Sequence, residues 1–358
     1  MARLEQVLQL VSTVDEAAAT ALASLKQPRP LPTSPPSSSP STSSSAPPPL
    51  ADVRSDFVAH LQTLNKEITA ISLALKPPVS LEAVKGTLDK LVPILDKLRF
   101  VFDCLPRDGS VLAKKITWSA QECLEAFQSY LASTASTLSA PPASAKKERD
   151  SQLIATKAVW AVVEKAAALP QDELDAERAS WRDTLQLLDD CLDEIKELSQ
   201  EAEQGADEPE EEEEDADEDD DEDDFGSSRP LSAPERERAT AAHLLLRLSR
   251  LLVNRLLTRT APPSPPAALV APAFLASAHS LISRLSALAD DLAAALEPPQ
   301  DELGEVADEL GGVADELAAV IEKAVDGADD AAVTAAEKQW LAMWRKQRDT
   351  ARAKLEAI

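Results

Sequence analysis

Apolar residues recur along this chain at spacings of three and four, block after block, with prolines or polar runs between the blocks. That period puts the apolar positions on one face of a helix. Leu4, Val7, Leu8, Val11 and Val14, followed by an alanine-rich run, predict a short helix within residues 1–27. Residues 28–50 are mostly Pro and Ser and read as a flexible, partly extended linker. Phe57, Leu61, Leu64, Ile68, Ile71 and Leu75 form one clean stripe, stopped by Pro77 and Pro78. Leu81, Val84, Leu88, Leu91, Leu95, Leu98 and Phe102 form the next. Pro93 lies inside it and lacks a backbone donor, so a kink or two abutting helices are expected there. Pro106, Asp108 and Gly109 mark a turn. Leu112, Ile116, Ser119, Cys123, Phe127, Tyr130 and Thr134 then mark a long helix.

A Pro/Ala/Ser/Lys loop at 139–147 precedes a helix read from Ile154, Ala158, Val162 and Lys165, with Trp160 nearby. After Pro170, Asp172 and Glu173 place acids in a first turn, where they complement the helix dipole. Trp181, Leu185, Leu188, Leu192 and Ile195 give its stripe. Ser232 and Glu235 have the spacing of a capping box ahead of Leu245, Leu248, Leu252 and Leu256. Prolines 262, 263, 265 and 266 end that helix; Phe274, Ala278, Leu281, Leu285, Leu288, Leu292 and Leu296 follow, closed by Pro298 and Pro299. Residues 301–321 repeat a heptad whose seam is Leu303, Val306, Leu310, Val313, Leu317 and Val320. Gly304, Gly311 and Gly312 weaken a free-standing helix there. Packing inside a bundle is therefore favoured over an intermolecular coiled coil, with the small residues admitting a close neighbour. Val333, Ala336, Trp340, Met343, Trp344, Ala351 and Leu355 mark the last helix. Nine or ten amphipathic helices with short links and no period-two alternation predict an all-α protein of antiparallel helical bundles.

Charge divides the chain. Of the 18 residues from 207 to 224, 16 are Asp or Glu. Such a run repels itself and has no apolar surface to offset its ordering, so it reads as a disordered acidic linker. The expected layout is a helical bundle at 51–203, a linker at 204–234 and a second bundle at 235–358. The formal net charge of -27 and a pI near 4.5 argue against direct nucleic-acid binding. Three cysteines without a CxxC spacing argue against a disulfide framework or zinc ribbon and fit a reducing compartment. Glu5 and Asp15 break any signal-peptide pattern, and no apolar run reaches the roughly 18 residues of a membrane span. A soluble cytosolic or nuclear protein is expected.

Candidate chemistry is sparse. His60, His243 and His279 fall in separate helices, none with a second ligand at i+3 or i+4. There is no glycine-rich phosphate loop, GxSxG, HExxH or CxxC. No catalytic residue, cofactor or metal ligand is assigned, and the expectation is a non-enzyme. The acidic tract fits a calcium buffer, a nucleic-acid mimic for basic partners or, preferred, a solvated spacer. Arg236, Arg238, Arg247, Arg250, Arg255 and Arg259 crowd one helix. They fit a phosphate site or, preferred, a solvated face or one that meets the tract. Trp340 and Trp344, one turn apart, are more often core than binding anchors, yet exposed tryptophans are favoured at interfaces. With Leu310 and Leu317 they are the candidate partner-binding residues.

A stretch running Thr156-Lys157-Ala158-Val159-Trp160, Ala168-Leu169-Pro170, then Leu185 to Leu192-Asp193-Glu194-Ile195-Lys196-Glu197-Leu198, resembles the middle of the cyclin-D1-binding protein 1 family. That family is also described as Grap2 and cyclin-D-interacting. Ala289-Asp290-Asp291-Leu292-Ala293, Pro298-Pro299-Gln300-Asp301 and the closing Trp340-Leu341 are similar to its second half. The resemblance covers residues 50–358 in order and layout, and departs in the 28–49 insertion and in alanine enrichment. It implies an all-α, two-part protein without catalysis that binds cell-cycle and transcription regulators in cytoplasm and nucleus. Its members are described as helix-loop-helix proteins lacking a DNA-binding basic region. The expected function is a helical adaptor for cyclin-type or helix-loop-helix-type partners. The alternatives are a vinculin-like cytoskeletal scaffold and an acidic chaperone of histones or other basic proteins.

Overall fold

A computed structural model of the chain describes residues 2–26, 48–106, 109–204, 231–262, 265–326 and 331–357. Among them the protein is all-α, with ten helices and no strand. The Pro/Ser stretch at 28–47 and the acidic tract at 207–224 lie outside the described residues. The helices group into two compact units, Met1–Ala176 and Glu177–Ile358.

The first unit holds α1 (Ala2–Lys26), α2 (Leu50–Ala74), α3 (Leu81–Asp103), α4 (Val111–Ser139) and α5 (Ala145–Ala167). Helix α1 lies chiefly against α3 and α4, α2 against α3 and α5, and α4 against α5, so the five close a ring round one core. The apolar stripes explain the ring. Phe57, Leu88, Phe127 and Tyr130 are all fully buried, and each such side chain contributes ~1.5–3 kcal/mol on leaving water. Helix α1 was expected to stand apart at 1–27. Instead its Val7, Val11, Val14 and Ala18 join the same core. Helix α3 runs through Pro93 as one helix rather than two.

The stripe read for α5 is a correction. Ile154 is 71% exposed, and Ala158 and Lys165 are also exposed. The buried face is Gln152, Ala155, Thr156, Val159, Val163 and Ala166. Two of these are polar, so counting apolar residues selected the wrong face.

The second unit contains α6 (Glu173–Gln204) from Glu177 onward, α7 (Ala233–Thr260), a 3-10 turn at Ala267–Val270, α8 (Pro272–Ala294), α9 (Leu303–Asp326) and α10 (Ala331–Ala357). The predicted stripe of α6 is buried, with Trp181, Leu188 and Ile195 fully so. From Glu177 on, α6 bonds to α7 and α8, through Asp189 with Arg250 and Cys191 with Asp290. The expected boundary at 203 thus differs from the contact boundary, which falls at Ala176. The Ser232–Glu235 capping box forms, with the Ser232 backbone N–H donating to Glu235 Oε2 at 2.8 Å.

Helix α9 packs against α8 and α10, so its heptads serve the interior of the unit. Leu303, Leu310, Val313 and Leu317 are buried, while Val306 and Val320 are half-exposed and Ala307, Ala314, Ala318 and Ile321 fill the rest of the face. A straight helix drifts off a strict seven-residue seam, and here the buried face follows that drift. The close approach expected at the glycines does not occur: a Cβ at Gly304, Gly311 or Gly312 would meet nothing within 4 Å.

Candidate functional site

The sequence-predicted contact residues lie in the second unit, and the structure places most of them inside it. Leu310 and Leu317 are fully buried, and Trp344 is 3% exposed. The Trp344 indole N–H donates to the Leu248 carbonyl at 2.8 Å, and the Arg348 guanidinium lies 5.8 Å from the ring centre. Trp340 is half-buried beneath Arg255, 5.1 Å from its ring centre. Trp344, Leu310 and Leu317 are thus interior side chains, and Trp340 is open to solvent only in part. They weld α10 to α7 and α9.

The buried face of α10 is Glu337, Leu341, Trp344, Arg348 and Ala351. Two charged residues in that stripe hid its register. Glu337 is fully buried and carries two arginines. Arg255 donates from Nε and Nη2 at 3.0 and 2.8 Å, and Arg259 from Nε at 2.6 Å. Burial pushes the Glu337 carboxyl up, but hydrogen bonds and charge from Arg255 and Arg259 outweigh it and hold the carboxyl below its ordinary range. Arg348 pairs with Asp315 and Asp349.

These pairs answer the arginine question. Arg250 grips Asp189, and Arg255 and Arg259 grip Glu337, while Arg236 and Arg238 have partners of their own. The cluster serves mainly as a set of cross-helix clamps, not as one basic face. Arg247 meets no carboxylate among the described residues.

In the first unit, Ser72 of α2, Tyr130 of α4 and Gln152 and Thr156 of α5 join across the core. Ser72 Oγ lies 2.9 Å from Thr156 Oγ1 and 3.3 Å from Tyr130 Oη. Gln152 Nε2 donates to Ser72 Oγ at 2.9 Å, and Tyr130 O–H donates to the Ile68 carbonyl at 3.1 Å. Burial raises the Tyr130 phenol to about 12. Arg54 donates from Nη2 to the carbonyls of Ala167 and Leu169 at 2.9 and 2.8 Å, satisfying the end of α5. Glu173, expected to serve its own helix dipole, instead accepts from the backbone N–H of Val111 and Leu112 at 2.7 and 3.2 Å. It therefore caps α4.

Next to this network lie several exposed apolar side chains. The Trp160 indole N–H donates to Thr69 Oγ1 at 3.1 Å. With the Gln152–Ser72 bond, this fixes α2 and α5 as antiparallel. Leu73, Leu153, Ile154 and Trp160 are all exposed. Single exposed apolar residues need no explanation, but Leu153 and Trp160, seven residues apart, share one flank of α5, and Thr69 and Leu73, four apart, share one flank of α2. Sequence reading missed this set because Ile154 was assigned to the core.

Nothing in the described residues gathers a metal-binding cluster, and no described helix is long and apolar enough to cross a membrane. Burial raises the Cys123 thiol to about 12 and, with help from Asp290, the Cys191 thiol to about 11, which leaves both in the unreactive protonated form.

No curated protein was found to match the chain. Residues 56–201 match a family model described as Grap2 and cyclin-D-interacting, N-terminal. The matched span includes the Thr156–Trp160 and Leu169–Pro170 elements just described. Thr156 enters the polar network, Val159 the core, Trp160 the clasp to α2, and Leu169 the Arg54 bond. Over that span the chain carries a domain that matches the N-terminal domain of the Grap2 and cyclin-D-interacting family.

Proposed function

We propose that the chain is a non-enzymatic helical adaptor that regulates cell-cycle progression or transcription by docking cyclin-type or helix-loop-helix-type partners. The family match at 56–201 carries this reading, since that family is described by its interaction with D-type cyclin. The exposed side chains of Leu73, Leu153, Ile154 and Trp160 support it. They lie within the matched span and include Trp160, a residue type enriched among interface anchors. Docking there is apolar packing by a partner helix. Work in both cytoplasm and nucleus belongs to the same proposal.

The test is capture of purified D-type cyclin by the full chain at low salt and at about 0.3 M, where exposed charge contacts are largely screened. The Leu153→Ser/Ile154→Ser variant is run beside it. Salt-resistant capture, lost in the variant, supports the reading. Co-sedimentation with actin filaments in place of capture would assign a cytoskeletal scaffold. Salt-sensitive histone binding that disappears on deleting 207–224 would assign a chaperone of basic proteins.

A further inference from the structure

Helices α7 and α10 leave a groove of about 590 Å³ on the surface of the second unit. Leu244, Leu248 and Leu251 of α7 and Met343 of α10 supply its apolar floor and walls. Leu251 is 38% and Met343 54% exposed, so this apolar surface is open to solvent. Arg247 and Lys346 line the groove, and no acidic residue does.

The groove places two cations beside apolar surface with no carboxylate in its lining. The arginines that face neighbouring helices, Arg250, Arg255, Arg259 and Arg348, each hold a carboxylate. Arg247 and Lys346 hold none among the described residues. In a chain with 63 acidic and 36 basic residues, two uncompensated cations beside exposed leucine and methionine select for an anion that carries apolar side chains. The floor is also preorganised. Trp344 bonds to the Leu248 carbonyl from beneath, and the Arg255–Glu337–Arg259 clamp fixes α10 antiparallel to α7. Leu244 to Leu251 spans about 10 Å of helix, the length over which a docked helix presents anchors at i, i+3 or i+4, and i+7. Methionine suits such a surface because its flexible thioether adapts to the side chain it meets.

We infer that the α7–α10 groove is a second docking surface, one that takes an acidic amphipathic helix from a protein partner. Leucine-type anchors enter between Leu251 and Met343, and flanking carboxylates pair with Arg247 and Lys346. This rests on the adaptor reading and adds a site with a different chemistry, charged where the exposed α2 and α5 side chains are apolar.

The test uses the full chain and a fluorescein-labelled peptide with leucines spaced three and four apart and glutamates on both flanks. A matched peptide with lysines in place of the glutamates is the control. Anisotropy is read at low salt and at about 0.5 M. The expected result is binding of the glutamate peptide only, weakened at least tenfold in Arg247→Glu/Lys346→Glu and severalfold by salt. The lysine peptide should then bind the reversed variant, which also shows that the variant is folded. Met343→Ser gives an independent loss through the apolar floor.

Absence of binding, or binding unchanged by the reversal, overturns the proposal. Binding that emerges only when 207–224 is deleted assigns the groove to the chain's own acidic tract and overturns the partner version. A concentration-dependent dimer dispersed by the reversal assigns it to a second copy. Loss of D-type cyclin capture by the parent protein would sink the adaptor reading, while the peptide experiment would still judge the groove.

Discussion

The two units bury polarity in opposite ways. In the first, Ser72, Tyr130, Gln152 and Thr156 bring α2, α4 and α5 together through neutral hydrogen bonds. In the second, Glu337 with Arg255 and Arg259 joins α7 and α10 through full charges. Neutral groups cost less to desolvate than ions, and an ion left without its partner is far more damaging than a lost neutral bond. The first unit should therefore tolerate single lesions better, and the second should fail abruptly when a clamp is cut. The exposed surfaces differ in the same sense. Leu73, Leu153, Ile154 and Trp160 are exposed apolar side chains, whereas the α7–α10 groove sets Arg247 and Lys346 beside its apolar floor.

The largest effect expected from this contrast comes from Arg255→Met/Arg259→Met. It strands the fully buried Glu337 without a counter-charge and should cost about 3–5 kcal/mol in the second unit. Hydrogen exchange read by mass spectrometry should show α7 and α10 opening while α2, α4 and α5 stay protected. Adding Glu337→Leu to the double variant should recover most of the loss, because an apolar trio replaces the ions. No recovery would mean that the clamp is needed for geometry rather than charge.

Opposite pH limits come next. The Glu337 carboxyl is held below its usual value of 4.5. Its contribution is present above that value and fades as pH falls through the lower folded one. The second unit should open first in acid, and Glu337→Gln should flatten that dependence. Tyr130 is the reverse case, with a phenol raised from 10.0 to about 12. Its contribution is complete below pH 10 and is lost as pH climbs towards 12, which amounts to about 2–3 kcal/mol. The chain has one tyrosine, so phenolate absorbance isolates it. Titration near pH 10 in the folded protein would contradict the buried network. Tyr130→Phe, which leaves the Ile68 carbonyl and Ser72 short of a partner, should cost less, about 1–2 kcal/mol.

The same contrast explains which parts of the fold were legible. The stripes of α2, α4, α6 and α8 were read correctly because their buried positions are dominated by apolar side chains, so period and burial coincide. Helices α5 and α10 were misregistered where burial takes polar residues: Gln152 and Thr156 in one, Glu337 and Arg348 in the other. Those same positions stitch the units together. The candidate contact residues suffered for the same reason, since Trp344 pairs with a backbone carbonyl that no sequence pattern announces. Thr156 and Trp160 were marked by the family resemblance, but their roles need the α2 partners Ser72 and Thr69. A signal did exist for α10. Glu337, Leu341, Trp344, Arg348 and Ala351 keep the 4-3-4-3 spacing once charge is allowed inside.

The smallest expected effect has the opposite sign. Gly311 and Gly312 lie inside α9, where glycine lowers helix stability by roughly 0.5–1 kcal/mol relative to alanine through its backbone freedom in the unfolded chain. Had the bundle needed close helix contact there, alanine would clash; yet a Cβ at either position would meet nothing within 4 Å. Gly312→Ala, at an exposed position, should raise the stability of the second unit by about that amount. Gly311→Ala should do the same from a buried position, because the space for a methyl group is already there. A stabilised Gly312→Ala beside a destabilised Gly311→Ala would show that α9 packs more tightly in solution than the contacts to α8 and α10 imply. The heptad glycines would then be spacers for a close neighbour after all.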